Sequence, residues 1–567
     1  MAGNPCKFKI EKKDFFLIVI MLAVYFVQKL FLSKLGIYME ECRDANAHLM
    51  VLDGKVPYKD FHFWVYGPFI FCFYPLIFKI FGTGLFVFRL SFIAIGALVV
   101  PLVYVMARRL MSKGWAITAS FLSIVLIDVP YYTYNHIFAT VAGLYALLFI
   151  IKFMERNAVR YILFAGIFIG IALLVKPFLM GLGILLSILL FILFLKFKEG
   201  NAFEINFRHF ILLLSGASIT IIPFFAYFII HDAFWQLLAN ITPLGPDRVG
   251  SFYVYPRFLP QLLNHLNYFI NMIPYEVLFS PSQWKDVLVM SYYRQLLYLP
   301  VMVPLVIFLL NKFVFSEYGL ISKTDSRYIV LFTMFSIFIS GQSFVVLGLM
   351  GRSFTMQVPF LLFIYLLSLI NNKKLYGRHK FRRYLVLVLS GFIVFYLSFL
   401  HFFRYPYSRS KTYNVELGLE RARHIKVTPE EKTLYESLNK FLDDNLSRPE
   451  PIAVIGYYPQ FAFLLNRENI FGDIEDVCIK FMSMQEPGFY GYEDMENINI
   501  TEKKVLDRLE ERKPAFLISP VIPERKYLTS KILDYINQHY ALEKTFGPAY
   551  IDIYTLGIVK VYRRLSH

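Results

Sequence analysis

Apolar runs of about twenty residues recur along residues 1–403 of this chain, the length that carries a helix across about 30 Å of hydrocarbon. A chain built this way has too little polar surface to dissolve: 57% of its 567 residues are hydrophobic and only 17% are charged, against roughly 25% charged in soluble domains. The formal net charge of +17 does not point to nucleic acid. Its Lys and Arg residues lie in short clusters between the apolar runs, as the positive-inside rule requires, and form no groove-sized patch. Cys6, Cys42, Cys72 and Cys478 show no close pairing and make neither a disulfide framework nor a metal site.

The stretch MAGNPCKFKIEKKDFF precedes an apolar run over 15–33 with no small-residue cleavage site behind it, so a retained first span and a cytoplasmic N-terminus are expected. Alternating spans then puts 34–84 outside. Further spans are expected at 85–107, 115–128, 136–153, 160–176, 177–195, 210–230, 296–315, 328–348, 355–371 and 384–403. The loops that fall inside, among them RRLMSK, KFMERNAVR, KFKEGNAFEINFRH and NNKKLYGRHKFRR, are all basic. Within the first outer loop, GPFIFCFYPLIFKIFG is broken by Pro68 and Pro75 and ends in Gly82, which reads as an interfacial or re-entrant helix. A second outer loop covers 231–295. About eleven transmembrane helices result, in a multi-pass protein of the plasma or inner membrane, with membrane lipids among its partners.

From 404 onward charged residues become frequent. The β-like runs PIAVIGYY, PAFLISPV and IDIYTLGIVKVYRR alternate with the helical patterns EEKTLYESLNKFLDDNL and LTSKILDYINQHYALEK. The fold class expected is therefore a polytopic α-helical membrane protein, 1–403, followed by an extracytoplasmic α/β domain, 404–567.

The first outer loop, YMEECRDANAHLMVLDGKVPYKDFHFWVYGPF, is the richest in chemistry. Glu40 and Glu41 follow the first span directly and set two carboxylates at the outer boundary, where a merely solvated loop also places acids. Helical spacing sets Arg43 near Glu40, to pair with it or to touch a phosphate. No nucleotide-binding glycine loop, Walker lysine or HExxH occurs, so ATP-driven transport and metalloprotease chemistry lack their signatures.

This run resembles the opening of the GT-C superfamily of membrane glycosyltransferases that use polyprenyl-phosphate sugars, in particular the protein mannosyltransferase and lipid A aminoarabinose transferase branch. The pattern there is Asp-Glu, about a dozen residues, Gly, then Pro-Tyr-x-Asp. Here it stands as Glu40-Glu41, Gly54, Pro57-Tyr58 and Asp60-Phe61. Phe81-Gly82 with Arg89, Val175-Lys176-Pro177, and Arg352 ahead of Pro359 resemble further marks of the group. Glu40 stands where the family carries Asp, one methylene longer.

The resemblance implies Glu40, with Glu41 or Asp44 as substitutes, as the base that takes a proton from the acceptor hydroxyl. It implies Arg89, Lys176 and Arg352 as cations for the leaving phosphate; snorkelling explains Arg89 and Lys176 as well, and a plain turn explains Arg352. Tyr58, Asp60 and His62 complete the expected substrate-binding set. His62, Trp64 and Tyr66 are placed to stack on a sugar or to form an interfacial aromatic belt, and His136 is a weaker candidate. No cofactor is expected and no obligatory metal, though paired acids are able to bind a divalent cation. Partners implied are a polyprenyl-phosphate sugar and a lipid, glycan or protein acceptor. The rivals are a lipid-linked glycan flippase, which calls for mid-membrane charges and an internal repeat, and an inactive scaffold of the same fold.

Overall fold

The first apolar run folds as expected, into α1 (Lys12–Leu32). The structure, a computed structural model, describes residues 11–61, 67–127, 134–199, 205–241, 323–345, 357–370, 405–448, 450–455, 460–471, 495–521, 529–552 and 555–565, with the single positions 388, 391 and 402. A short connection leads from α1 into α2 (Met39–Leu52). The proline-broken stretch makes α3 (Ile70–Phe81), which stops at Gly82, where a φ of +93° excludes most side chains. Helices α4 (Leu85–Ala97) and α5 (Val99–Leu110) follow, then α6 (Lys113–Leu126), α7 (Tyr134–Arg156) and α8 (Arg160–Val175). A wide π-helical turn at Pro177–Gly181 separates α8 from α9 (Leu182–Glu199), which precedes α10 (Phe207–Ile230) and α11 (Phe234–Ile241). Next come α12 (Lys323–Val345) and α13 (Gln357–Ile370).

Among the described residues, Lys12–Leu32, Leu85–Leu110, His136–Arg156 and Phe207–Ile230 are long and apolar enough to cross a membrane, and shorter apolar helices accompany them. The span expected at 296–315 lies outside the described residues, as does that at 384–403 apart from positions 388, 391 and 402.

By their contacts the residues fall into two compact units. One combines Met1–Lys29, Phe92–Ala226 and Tyr255–Pro406. Its helices approach closely where side chains are smallest. A Cβ added to Gly166 of α8 would stand 2.1 Å from the Leu213 carbonyl oxygen of α10, and one added to Gly216 of α10 would stand 2.3 Å from that of Leu163. Between helices in lipid, where apolar burial gains nothing, such close packing supplies the attraction. Buried polar groups tie other helices: Lys29 donates to the Ile127 carbonyl, Gln357 Nε2 to that of Ser123 at 3.2 Å, and the Tyr365 hydroxyl to Asp325 at 2.5 Å.

The second unit combines Leu30–Ser91, Tyr227–Val254 and Tyr407–His567, so the first loop clusters with the C-terminal region. That region contains α14 (Tyr405–Thr412), the two-residue strands β1 (Val415–Glu416) and β2 (Lys426–Val427), and α15 (Pro429–Asn445). It continues with β3 (Ala453–Val454), α16 (Gln460–Leu464), α17 (Met495–Arg512), β4 (Phe516–Val521), α18 (Ser530–His539), β5 (Tyr540–Asp552) and β6 (Thr555–Arg564). The start of α15 is written in its sequence: Thr428 accepts from the Glu431 amide, Glu431 accepts in return from the Thr428 amide, and Pro429 takes a position that needs no N–H.

The larger sheet has the order β3-β4-β6-β5, with β3 and β4 parallel and the other pairs antiparallel. Strand β4 is buried from Phe516 to Pro520 because both its faces are covered. Leu517 joins Val505, Leu509, Ile532 and Ile536 of α17 and α18, while Phe516, on the opposite face, meets Phe441 of α15. Two readings of this region need correction. The helical pattern ending in HYALEK stops at His539, since from Tyr540 the backbone pairs with β6 instead. The run IDIYTLGIVKVYRR is not one strand but the end of β5 and the whole of β6, a hairpin.

Gly166→Leu is expected to force α8 away from α10 and lower the thermal midpoint of the detergent-solubilised protein, since overpacking costs about 1–3 kcal/mol or more. Gly114→Ala, whose added Cβ would meet nothing within 4 Å, should leave the midpoint where it is.

Candidate active site

Helix α2 reads as polar, MEECRDANAHLMVL, yet most of it is buried. Glu41, Asp44 and His48, at i, i+3 and i+7, share one face, and each is at most 1% exposed. Carboxylates in such a place must be paired. Arg89, on α4, supplies the partner for Glu41: its Nε donates to Oε1 at 2.5 Å and its Nη2 to Oε2 at 2.9 Å. The rest of the guanidinium serves the connection between α1 and α2, Nη1 donating to the Ser33 carbonyl at 2.6 Å and Nη2 to that of Gly36 at 2.7 Å. Burial pushes the Glu41 carboxyl up, to about 7, against the pull of Arg89. Asp44 is held by its neighbour, Arg43 Nε donating to Oδ1 at 2.7 Å.

His48 lies within a ring of aromatic side chains, its own ring centre 4.7 Å from that of Tyr74, 5.6 Å from Phe71 and 5.8 Å from Phe88. Neither ring nitrogen has a hydrogen-bond partner among the described residues. Burial drives its pKa down from 6.5 to about 3, so the folded protein holds it neutral.

After α2 the chain turns through Gly54, at a φ of +85°. The segment Val56–Phe61 closes on itself: Asp60 Oδ2 accepts from the Val56 amide at 2.6 Å, and the Tyr58 amide donates to the Phe61 carbonyl at 2.8 Å. Tyr58, at a φ of +67° that few residues with side chains adopt, is fully buried with its ring against Phe71 and Phe228. Gly54, Tyr58 and Asp60 thus shape the loop.

The expected site residues are therefore distributed unevenly. The structure brings Glu41 to Arg89 and Arg43 to Asp44. Arg89, expected at a phosphate, is buried, pairs with Glu41 and donates to two carbonyls. Glu40 belongs to the first turn of α2, its side chain outside the described residues, as are His62, Trp64, Tyr66 and Arg352. Lys176 belongs to the other compact unit, where it ends α8 in a non-helical backbone, the α region being disfavoured before a proline. Its amide donates to the Ala172 carbonyl and its own carbonyl accepts from Gly181, both at 2.9 Å, which closes the wide turn. His136 Nδ1 approaches Met180 Sδ of that turn at 3.4 Å. Among the described residues no three His, Cys, Asp or Glu side chains gather to hold a metal. Reading along the sequence missed His48, although the spacing Glu41, Asp44, His48 is visible there; it also missed Tyr38 and Gly36, which carry no chemical signature.

A row of apolar helices long enough to cross a membrane, with a polar, acid-led helix after the first of them, fits an integral membrane protein. Residues 66–227 match the model of the family described as dolichyl-phosphate-mannose-protein mannosyltransferase, which bears out the resemblance drawn from the sequence. The matched stretch contains Arg89 and Lys176 and begins downstream of the Glu40–Asp60 run. Among solved structures the chain is similar to the oligosaccharyltransferase of Archaeoglobus fulgidus in complex with zinc and sulfate, at 15% identity and a TM-score of 0.44, over 89% of this chain and 67% of that one. It is also similar to ArnT from Cupriavidus metallidurans bound to undecaprenyl phosphate, at 11% identity and a TM-score of 0.42, over 96% and 97% of the two chains. No curated protein matches the sequence.

Arg89→Gln and Glu41→Gln each strand one member of a buried pair and are expected to cost about 3–5 kcal/mol, read as a lower thermal midpoint in detergent. Combining Glu41→Leu with Arg89→Met should recover part of that loss, since neither charge is then left alone. For His48 the folded state favours the neutral ring, so the stability it contributes is present above pH 6.5 and lost as pH falls toward 3. His48→Phe should flatten that acid loss in midpoints followed from neutral pH downward.

Proposed function

We propose that this protein is a membrane glycosyltransferase that moves a sugar from a polyprenyl-phosphate donor to a lipid, glycan or protein acceptor at the extracytoplasmic face. The observation that carries the reading is the buried pairing of Glu41 with Arg89 at the start of the acid-led helix. Glu40, which the resemblance aligns with the family's leading Asp, is our assignment for the base. Successive helical residues stand about 100° apart, so Glu40 starts from a different face of α2 than Glu41. The family match over 66–227 supports the reaction class.

In this reading the acceptor hydroxyl attacks the anomeric carbon of the donor. A new C–O bond forms there as the bond to the lipid phosphate breaks, and the phosphate leaves with the electron pair. Glu40 takes the hydroxyl proton. Negative charge grows on the departing phosphate and calls for cations. Lys176 and Arg352 are assigned that role by the resemblance alone, and Arg43 keeps its place on Asp44. The basic connections near 108–113 and 372–383 place those loops in the cytoplasm, which sets Glu40 and the α/β region outside.

The test is transfer from a labelled polyprenyl-phosphate sugar pool by membranes carrying wild type or Glu40→Gln. Loss of a positioned base should slow transfer by about 10²–10⁴ while expression is kept. Equal turnover would move the base to another residue. Absence of transfer by wild type, across donors and acceptor extracts, would overturn the reading in favour of a scaffold or a flippase.

A further inference from the structure

We infer that the C-terminal α/β region clamps the start of the acid-bearing helix through Arg409, which makes Arg409 a positioning residue for the base. This rests on the reading of Glu40 given above. All the contacts involved lie within one compact unit.

Tyr38 is the residue at which α2 begins, and its side chain makes no capping bond to the helix. Its hydroxyl instead accepts a hydrogen bond from Arg409 Nη2. The Arg409 guanidinium also lies over two rings, 5.3 Å from the centre of Tyr38 and 4.3 Å from that of Tyr413, and its Nη1 donates to the Tyr413 hydroxyl at 3.3 Å. Two residues before Tyr38 stands Gly36, held on both sides. Its amide donates to the Lys426 carbonyl at 2.7 Å, and its carbonyl accepts from Arg89 at 2.7 Å. The Lys426 amide returns a bond to the Lys34 carbonyl at 2.6 Å, so Lys34–Gly36 lies along β2 as an added edge.

Gly36 has a φ of +75°, and a Cβ there would come within 3.0 Å of Arg409 Nη2 and 3.1 Å of Tyr413 Cζ. A Cβ there would crowd both the guanidinium and the ring, and the positive φ favours glycine. The body of α2 packs along α16 as well. Glu40 is two residues past Tyr38, so an error in where α2 starts becomes an error in where the acid stands. Positioned catalytic groups tolerate about 0.5 Å. A planar guanidinium stacked on two rings fixes orientation in a way a lysine ammonium does not.

The experiment uses the purified full-length protein and two readouts, hydrogen exchange of the amides in 34–44 and the kinetics of sugar transfer. Arg409→Ala is expected to speed exchange in that segment and lower kcat about ten- to a hundredfold, with the donor KM unchanged. Arg409→Lys should fall between. Tyr38→Phe, which removes only the hydroxyl, should act in the same direction and carries the test if Arg409→Ala does not fold. Glu40→Gln combined with Arg409→Ala should be no slower than Glu40→Gln alone, because Arg409 acts only through the acid.

Unchanged exchange in Arg409→Ala would overturn the clamp. Faster exchange with an unchanged kcat, or a raised KM with kcat kept, would overturn its positioning role. If wild type transfers no sugar from any donor, the proposed function fails, and exchange alone then upholds or overturns the clamp.

Discussion

The buried pair between Arg89 and Glu41 is the constraint from which the site takes its shape. An unpaired carboxylate or guanidinium in such surroundings costs about 3–5 kcal/mol, a large part of a protein's net stability, so each residue holds the other in place. Because the same guanidinium also holds the Ser33 and Gly36 carbonyls, one side chain fixes α4, the first turn of α2 and the connection leading into it. The Arg89 fork occupies one lone pair on each carboxylate oxygen of Glu41 and fixes its orientation.

Much of the architecture was legible in the sequence because it follows from length and periodicity. The apolar runs over 15–33, 136–153 and 210–230 reappear as α1, α7 and α10 within a few residues, and the prolines of the 68–82 stretch correctly marked a short helix. The strands PAFLISPV and PIAVIGYY were visible because a covered strand has to be continuously apolar. What failed was the boundary at Tyr540, where local helical pattern and long-range pairing with β6 compete and the pairing prevails; no window of local sequence contains its partner strand.

The site was legible in outline only. The motif residues Gly54, Tyr58 and Asp60 were recognised, Tyr58 and Asp60 as expected substrate-binding groups. In the structure they bend and close a loop: Tyr58 turns its ring inward and Asp60 ties a backbone amide. For Arg89 the sequence displays a charge without displaying the counter-charge, 48 residues away, that the structure sets against it. Arg409 carried no signal at all, since its meaning depends on Tyr38 and Tyr413, one of them 371 residues distant. Residue type and spacing report chemistry within a helix turn; they are silent on contacts that only the finished fold creates.

The grouping of Leu30–Ser91 with Tyr407–His567 also has a consequence in time. The first loop leaves the ribosome long before the segment it folds with, and at synthesis rates of about 5–20 residues per second roughly 15–60 s separate the two. During that interval α2 has its Arg89 pair but lacks β2, Arg409 and α16. The ion pair is thus the local contact that forms first, and the α/β region arrives last to complete it. A nascent chain truncated before 407 lacks the contacts that α16 makes with α2 and that Arg409 makes with Tyr38 at its start.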